Sequence, residues 1–212
     1  AAAMGLEVEA MDCLEVAAIP YSALRSACHT ELARLHLRRG DGRLAEEYAR
    51  KALLSNAHNL TALMLLYKQT GDGMEQIMAI DPLNHFADAE KLLTGTLSSE
   101  DFAASFGEEI PWQDYMELAI FYHSIGRDDE AHTLLAALPQ QNVLTALWMA
   151  WLRDDASAIG AAEANTLDYV FPFRQESVAP LEWAIAQGGK WQSRYLLALL
   201  KKYLGDAEAA RA

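Results

Sequence analysis

The sequence predicts an all-α protein in which antiparallel helix pairs stack as a superhelical solenoid with irregular junctions. Two features of composition favour helices over strands: alanine and leucine dominate the chain, and it has only 6 prolines and 12 glycines. Apolar residues also recur at steps of three and four through most of the chain. No long segment alternates apolar and polar residues with the period of two that a half-buried strand requires.

The boundaries of the helices follow from turn and capping residues. Gly40 and Gly42 should end the first helix, because glycine accepts the left-handed backbone of a helix end. Pro111 suits the first turn of a helix, where its missing N–H needs no partner. The predicted helices are 22–39, 43–54, 60–70, 74–80, 84–93, 98 or 99 to 106, 112–125, 129–138, 143–152, 156–164, 177–187, 191–204 and a last one from 207.

The two ends of the sequence predict a fragment of a longer protein, with one helical array over 1–212. The first ten residues, AAAMGLEVEA, lack the basic head and apolar core of a signal peptide and read as a trimmed or tagged start. The last eight, GDAEAARA, read as the first part of a helix. The sequence leaves the compartment open between cytoplasm and periplasm.

Charge narrows the classes of partner. The chain has 30 acidic and 17 basic residues and a formal net charge of −13, which should repel phosphate backbones and anionic lipids. No apolar run approaches the roughly 18 residues of a membrane span. The sequence therefore predicts neither nucleic-acid binding nor membrane insertion. The expected partner is a protein or peptide, or the rest of the protein's own chain.

A helix-turn-helix unit recurs with a fixed spacing between glycine and alanine. Glycine permits a tight turn with positive φ. A small alanine five residues later should let the second helix approach the first closely. The pairs are Gly40 with Ala45, Gly126 with Ala131, and Gly205 with Ala210. The spacing is typical of a repeat of about 34 residues.

These units resemble tetratricopeptide repeats (TPRs). The best repeats cover 30–59 and 112–138, the unit at 60–82 is degenerate because its second helix is short, and 191–212 is a truncated repeat. The segments DPLNHFADAEKLL, EIPWQDYMELAIFYHSIGRDDEA and YVFPFRQESVAPLEWA are similar to the TPR region of large bacterial proteins from gut Bacteroidetes. In those proteins the array follows a β-rich domain of unknown function connected with carbohydrates.

The resemblance implies a non-catalytic scaffold that makes protein–protein or intramolecular domain contacts, accessory to a missing domain. The alternative is a fragment of a carbohydrate-active enzyme whose site lies in this chain. The two hypotheses differ in the expected surface. A scaffold needs an exposed contiguous patch, whereas a glycosidase needs a deep pocket with two acids about 5–10 Å apart.

The sequence contains no motif that favours a metal, a cofactor or catalysis, so we expect no enzyme. His29 and His36 are two helical turns apart, about 10 Å, which is too far for one zinc ion. His36 also falls where a TPR places a packing aromatic, whereas His123 and His132 are expected to face solvent. Gly188-Gly189-Lys190 lacks the rest of a phosphate-binding loop. Cys13 and Cys28 are expected to be unbridged, buried or half-buried thiols.

Four basic residues are candidates for partner binding. Arg34 and Arg38 are four residues apart on one helix, and Arg194 and Lys202 lie close to Lys201 near the end of the chain. In an acidic protein such positions could receive a carboxylate or an acidic peptide. The alternative is ion pairing with neighbouring glutamates on the same helix.

The aromatic segment DYVFPFRQESVAPLEWA, residues 168–184, interrupts the helical pattern. Pro172 excludes a helix interior, so the segment should be an extended connector that feeds a helix capped by Ser177. Phe171 and Phe173 should share one side of it and pack on the helices, near Trp183 and Trp148 or Trp151. Arg174 should pair with an acid or with the carbonyl end of a helix. The alternative hypothesis for this segment is a ligand site.

Overall fold

The computed structural model describes residues 7–107, 110–206, 208 and 210, and it confirms that this part of the chain is all-α. The helices are α1 (Glu7–Ala17), α2 (Arg25–Arg38), α3 (Gly42–Ser55), α4 (Leu60–Thr70), α5 (Met74–Ile80), α6 (Phe86–Leu93), α7 (Ser99–Ala104), α8 (Trp112–Ser124), α9 (Asp128–Ala136), α10 (Val143–Leu152), α11 (Ile159–Ala162), α12 (Val178–Ala186) and α13 (Trp191–Tyr203). Single turns of 3-10 helix at Ala156–Ala158 and Gln175–Ser177 precede α11 and α12.

The described residues form two compact units. The first takes the residues up to Ala87 together with Ser124–Arg127, and the second takes the remainder. The first therefore contains α1 to α5, and the second contains most of the elements from α6 onward.

The centre of the first unit is the pair α2 and α3. Gly40 adopts φ 79° in the turn between them, and Asp41 caps α3 by accepting a 3.3 Å hydrogen bond from Leu44 N. Ala45 and Ala49 of α3 are buried, and such small side chains let two helices approach closely. The glycine turn and the buried alanine are repeated at Gly126, with φ 77°, and Ala131. The positive φ predicted for both glycines is confirmed, and both alanines are buried.

Asn59 links α4 to the pair before it. Its side-chain oxygen accepts from Ala62 N at 3.0 Å and so caps α4. Its amide donates to Ser26 Oγ and Thr30 Oγ1, both at 2.9 Å, on α2. One side chain therefore fixes the start of one helix against the side of another.

Helix α10 is central to the second unit. It contacts α9, α11, α12 and α13, and a helix with neighbours on several sides is apolar all round, as the sequence VLTALWMAWL is. Asn142 and Thr145 form a reciprocal capping box at its start. A bridge between the backbones of Asn142 and Thr166 ties this start to the segment after α11.

At three segments the described helices do not correspond to the predicted list. Helix α1 was not predicted, because its apolar residues lack a clear helical period, and Val8 and Val16 are exposed. Helix α11 is shorter than the predicted 156–164, because its first turn is 3-10. The last predicted helix, from 207, lies outside the described residues apart from Glu208 and Ala210.

The connector is extended as predicted, but the side on which its aromatic residues lie is corrected. Val170 and Pro172 are buried, whereas Phe171 is 65% exposed and Phe173 is half-buried. Alternate side chains of the connector therefore point inward, as predicted, but the inward set contains Val170 and Pro172 and not Phe171. Tyr169 has φ 57°, and this left-handed residue sets which side chain points inward at Val170. The predicted burial of Phe171 is wrong.

Two polar predictions near the connector are also corrected. The Ser177 hydroxyl does not cap α12; it accepts a 3.0 Å hydrogen bond from the buried indole of Trp148. His123 does not simply face solvent. Its ring packs edge-on against Trp148 and Trp151, with Nδ1 2.7 Å from Asp128 Oδ1. His36 is buried and stacks on Tyr48, as expected for a packing aromatic.

Both cysteines are free, and one differs from its predicted environment. Cys28 is buried as expected, but Cys13 is exposed, because it lies on the solvent side of α1.

Candidate functional site

Of the two candidate arginines on α2, Arg34 is engaged in an ion pair and Arg38 is exposed. Arg34 donates from Nε and Nη2 to Glu31 Oε2 at 2.9 and 2.5 Å. The alternative of pairing with a neighbouring glutamate therefore holds for Arg34. Arg38 is exposed one turn later on α2. The structure does not offer these two cations as a joint receptor for an anion, because one guanidinium is already engaged.

The other two candidates lie on one exposed side of α13. An α-helix turns by about 100° per residue. Viewed down the axis of α13, Trp191, Tyr195 and Lys202 therefore lie within an arc of about 40°, and Arg194 lies about 60° to one side of Trp191. Trp191 is 61% and Tyr195 46% exposed, and their ring centroids are 6.2 Å apart. Arg194 and Lys202 are exposed as well. We call these four residues the α13 face.

The opposite side of α13 fixes its orientation. Ser193, Leu196 and Leu200 are completely buried there, and α13 packs on α12 and α10. This division into a buried and an exposed side is the usual pattern of a surface helix, but large aromatic side chains are unusual on the solvent side.

The α13 face lies in a locally basic segment of an acidic chain. Residues 190–203, KWQSRYLLALLKKY, contain four basic residues and no acid, whereas the whole chain carries −13. Lys201 pairs with Glu182 at 2.9 Å, which leaves Lys190, Arg194 and Lys202 as the exposed cations of the segment. Such a segment attracts acidic groups.

The start of α13 is held by a buried carboxylate from elsewhere in the chain. Glu163, directly after α11, is 3% exposed. It accepts from Lys190 N at 2.8 and 3.0 Å and from Ser193 Oγ at 2.6 Å. The preceding Gly189 leaves room for this turn, because a Cβ there would lie 2.7 Å from Ala184 O. A carboxylate at a helix N-terminus also interacts favourably with the helix dipole.

The end of α13 contacts the aromatic connector. The rings of Phe173 and Tyr203 have centroids 6.5 Å apart, and the Arg174 guanidinium lies 5.5 Å from the Phe173 ring. Arg174 Nε donates to Glu117 Oε1 on α8 at 2.6 Å, and this hydrogen bond raises the pKa of the guanidinium. The predicted acid partner of Arg174 is confirmed. Trp183 donates from its indole to Asp154 at 3.0 Å.

Sequence reasoning found the cations of this site but missed its aromatic residues and its anchor. The four-residue spacing of Trp191 and Tyr195 around Arg194 is a signal that could have been used. Glu163 gave no comparable signal, because its partners are 27 and 30 residues away in the sequence.

Comparison with known proteins leaves the family open. No protein-family model matches the chain, and no curated protein matches its sequence. The TPR resemblance and the superhelical arrangement therefore stay predictions.

Within the ranges described, no cluster of three or more His, Cys, Asp or Glu side chains is placed to hold a metal ion. Likewise, none of the helices placed by the structure combines the length and apolar character needed to cross a bilayer.

Proposed function

We propose that this chain is a non-catalytic helical-repeat scaffold of the TPR type, and that the α13 face binds an acidic segment of a protein partner. The partner is a separate protein or a further domain of the same polypeptide. The observation that carries the proposal is the joint exposure of Trp191, Arg194, Tyr195 and Lys202 on one side of α13.

The chemistry of the α13 face supports a protein partner. Trp, Tyr and Arg are the residues that most often dominate the binding energy of protein interfaces. Single exposed apolar side chains are ordinary, but a tryptophan and a tyrosine with two cations on one helix side are a concentrated patch. The cations suit carboxylates of the partner, and the rings suit apolar side chains placed between those carboxylates.

Local features of the helix pairs support the repeat type. The turns at Gly40 and Gly126 share positive φ, and each is followed by a buried alanine five residues later. Asn59 joins one pair to the next through hydrogen bonds to α2. These features are those expected of a helix-turn-helix repeat, in which each unit buries its apolar side against its neighbour.

The test is a titration of the chain with a fluorescein-labelled peptide made of Glu, Asp and Leu, followed by fluorescence anisotropy. We expect Arg194→Glu/Lys202→Glu to weaken binding at least tenfold, equivalent to about 1.4 kcal/mol. Trp191→Ala should weaken binding similarly, because it removes the largest apolar contact.

The matched control is Arg39→Glu/Arg43→Glu, which makes the same change in net charge at two exposed arginines beside the turn between α2 and α3. It should change the affinity by less than about threefold at physiological salt, because screening weakens the effect of net charge and the α13 face is unaltered. An equal loss in both double variants would show a nonspecific effect of charge. Absence of binding to the unaltered chain would reject the acidic partner.

A further inference from the structure

A second candidate site is an open groove among α9, α10 and α11, with a volume of about 270 Å³. Its apolar wall consists of Met149 and five alanines, among them Ala146, Ala150 and Ala161. The groove exists because these side chains are small. None of its lining residues belongs to the α13 face, so the inference is independent of the proposed function.

The carboxamides at the rim are oriented by helix ends. Gln141 Nε2 donates to Leu135 O and Leu138 O at 2.7 and 3.4 Å. Asn165 Nδ2 donates to Ala161 O and Ala162 O at 3.1 and 3.0 Å. A flipped amide would place oxygen against these carbonyls, so the donors are committed and the amide oxygens are the remaining groups. Gln141 Oε1 is buried and receives no hydrogen bond from the described residues.

The charged groups of the rim leave the groove suited to a cation. Arg153 is already compensated by Asp129, at 2.5 Å. His132 has its pKa lowered by burial and then by Arg153, which favours the neutral imidazole. Asp155 contributes a carboxylate and accepts from Ser157 N at 3.0 Å. The carbonyl end of α9 adds a partial negative charge.

We propose that this groove binds an alkylammonium group, supplied by a lysine side chain of a partner peptide. An ammonium has three donors and no acceptor, which matches the amide oxygen of Asn165 and the carboxylate of Asp155. A lysine stem is apolar and fits the alanine and methionine wall. The volume is below the range of about 300–1,000 Å³ of drug-sized ligand pockets and suits one long side chain.

The experiment records the amide and side-chain carboxamide NMR signals of the full ¹⁵N-labelled chain. The probes are a short acetylated alanine peptide with one central lysine, the same peptide with norleucine, and free n-pentylammonium. The lysine peptide should shift the carboxamide signals of Gln141 and Asn165. It should bind at least tenfold more tightly than the norleucine peptide, because only lysine carries the ammonium.

Two variants place the interaction in the groove. Asp155→Asn should weaken lysine binding at least fivefold, whereas Asp168→Asn makes the same charge change on the exposed connector and should leave it unchanged. Ala161→Leu adds bulk at an exposed wall position and should also weaken binding, with the circular dichroism spectrum confirming that the fold is retained.

Three results would overturn the proposal. Equal binding of the lysine and norleucine peptides would reject recognition of the ammonium. Binding of pentylammonium without binding of the lysine peptide would assign the groove to a free amine instead of a side chain. Shifts outside the groove, or no shifts, would reject the site.

Discussion

At the scale of single residues, Glu163 determines where α13 begins. Its carboxylate is buried at 3% exposure and accepts hydrogen bonds from the backbone of Lys190 and the hydroxyl of Ser193. Hydrogen bonds to an ionised acceptor are stronger than neutral ones. The donors at the start of a helix have no partners within the helix, so a remote carboxylate can satisfy them.

Glu163→Ala should lower the free energy of unfolding by about 2–4 kcal/mol, because it leaves buried donors without an acceptor. Urea unfolding followed by circular dichroism measures this change. The control is Glu182→Ala, which removes the exposed partner of Lys201 and should cost less than about 1 kcal/mol. Equal losses would mean that Glu163 contributes no more than a surface ion pair.

Residue roles were predictable where the partner is near in sequence. The turn at Gly40 and the cap that Asn59 places on α4 follow from short-range patterns. The hydrogen bonds from Asn59 to α2 do not, because Thr30 and Ser26 are 29 and 33 residues away in the sequence. Glu163 stands between Ala162 and Ala164 and looks like any helical glutamate until α13 is brought beside it. Its role depends on the tertiary fold, which the local sequence does not encode.

At the scale of elements, the proline in the connector between α11 and α12 indicates an extended backbone but does not indicate which side chains are buried. Pro172 predicts the extended backbone correctly. The inward side, however, depends on the left-handed conformation of Tyr169, and a tyrosine gives no sequence signal for positive φ. The sequence could therefore predict that alternate side chains of the connector point inward, but not which of the two sets does so.

The connector gives a direct comparison of adjacent residues. Val170→Ala should lower the free energy of unfolding by about 1–3 kcal/mol, since the side chain is 2% exposed. Phe171→Ala should change it by less than about 0.5 kcal/mol, since most of the ring is already in solvent. Thermal and urea unfolding of both variants test which side chains of the connector point inward. A larger loss of stability for Phe171→Ala than for Val170→Ala would contradict the burial of Val170.

The cations of α13 were predictable from composition, but its orientation was not. Arg194 and Lys202 stand out because the segment has no acid. That they share the solvent side with Trp191 follows from the burial of Leu196 and Leu200 against α10 and α12. The candidate site thus needed the packing of the second unit.

At the scale of the whole molecule, three histidines link stability to pH. Burial is the main cause that lowers the pKa of His29, His36 and His132, so the described fold favours their neutral forms. An unfolded histidine has a pKa of about 6.5 and binds more protons at mildly acidic pH than these folded ones. Their contribution to stability is present above about pH 6.5 and is lost as pH falls through the folded pKa values.

The urea midpoint should therefore be lower at about pH 5.5 than at about pH 7.5. His29→Leu/His36→Phe should reduce this difference, because it removes two of the titrating groups and keeps an aromatic ring against Tyr48. Replacing the exposed His58 with Gln is the control and should leave the difference unchanged. A double variant with the full pH dependence would assign the effect to other groups.

The all-α class and the order of most helices were predictable at this scale, because the apolar period is a property of long segments. Helix α1 was not predicted, because its exposed Val8 and Val16 do not fit the helical period of buried apolar residues. The division into two compact units was not predictable, since it depends on contacts between residues far apart in the sequence.

The contacts around the connector also determine what a protease would do to the molecule. Tyr169 and Phe171 are exposed in a segment without regular structure, so a chymotrypsin-like enzyme should cut there first. The two pieces would still be joined by Arg174 with Glu117 and Trp148 with Ser177, and by Glu163 with the start of α13. A nicked chain should therefore migrate as one species in a native gel and separate into two only after denaturation.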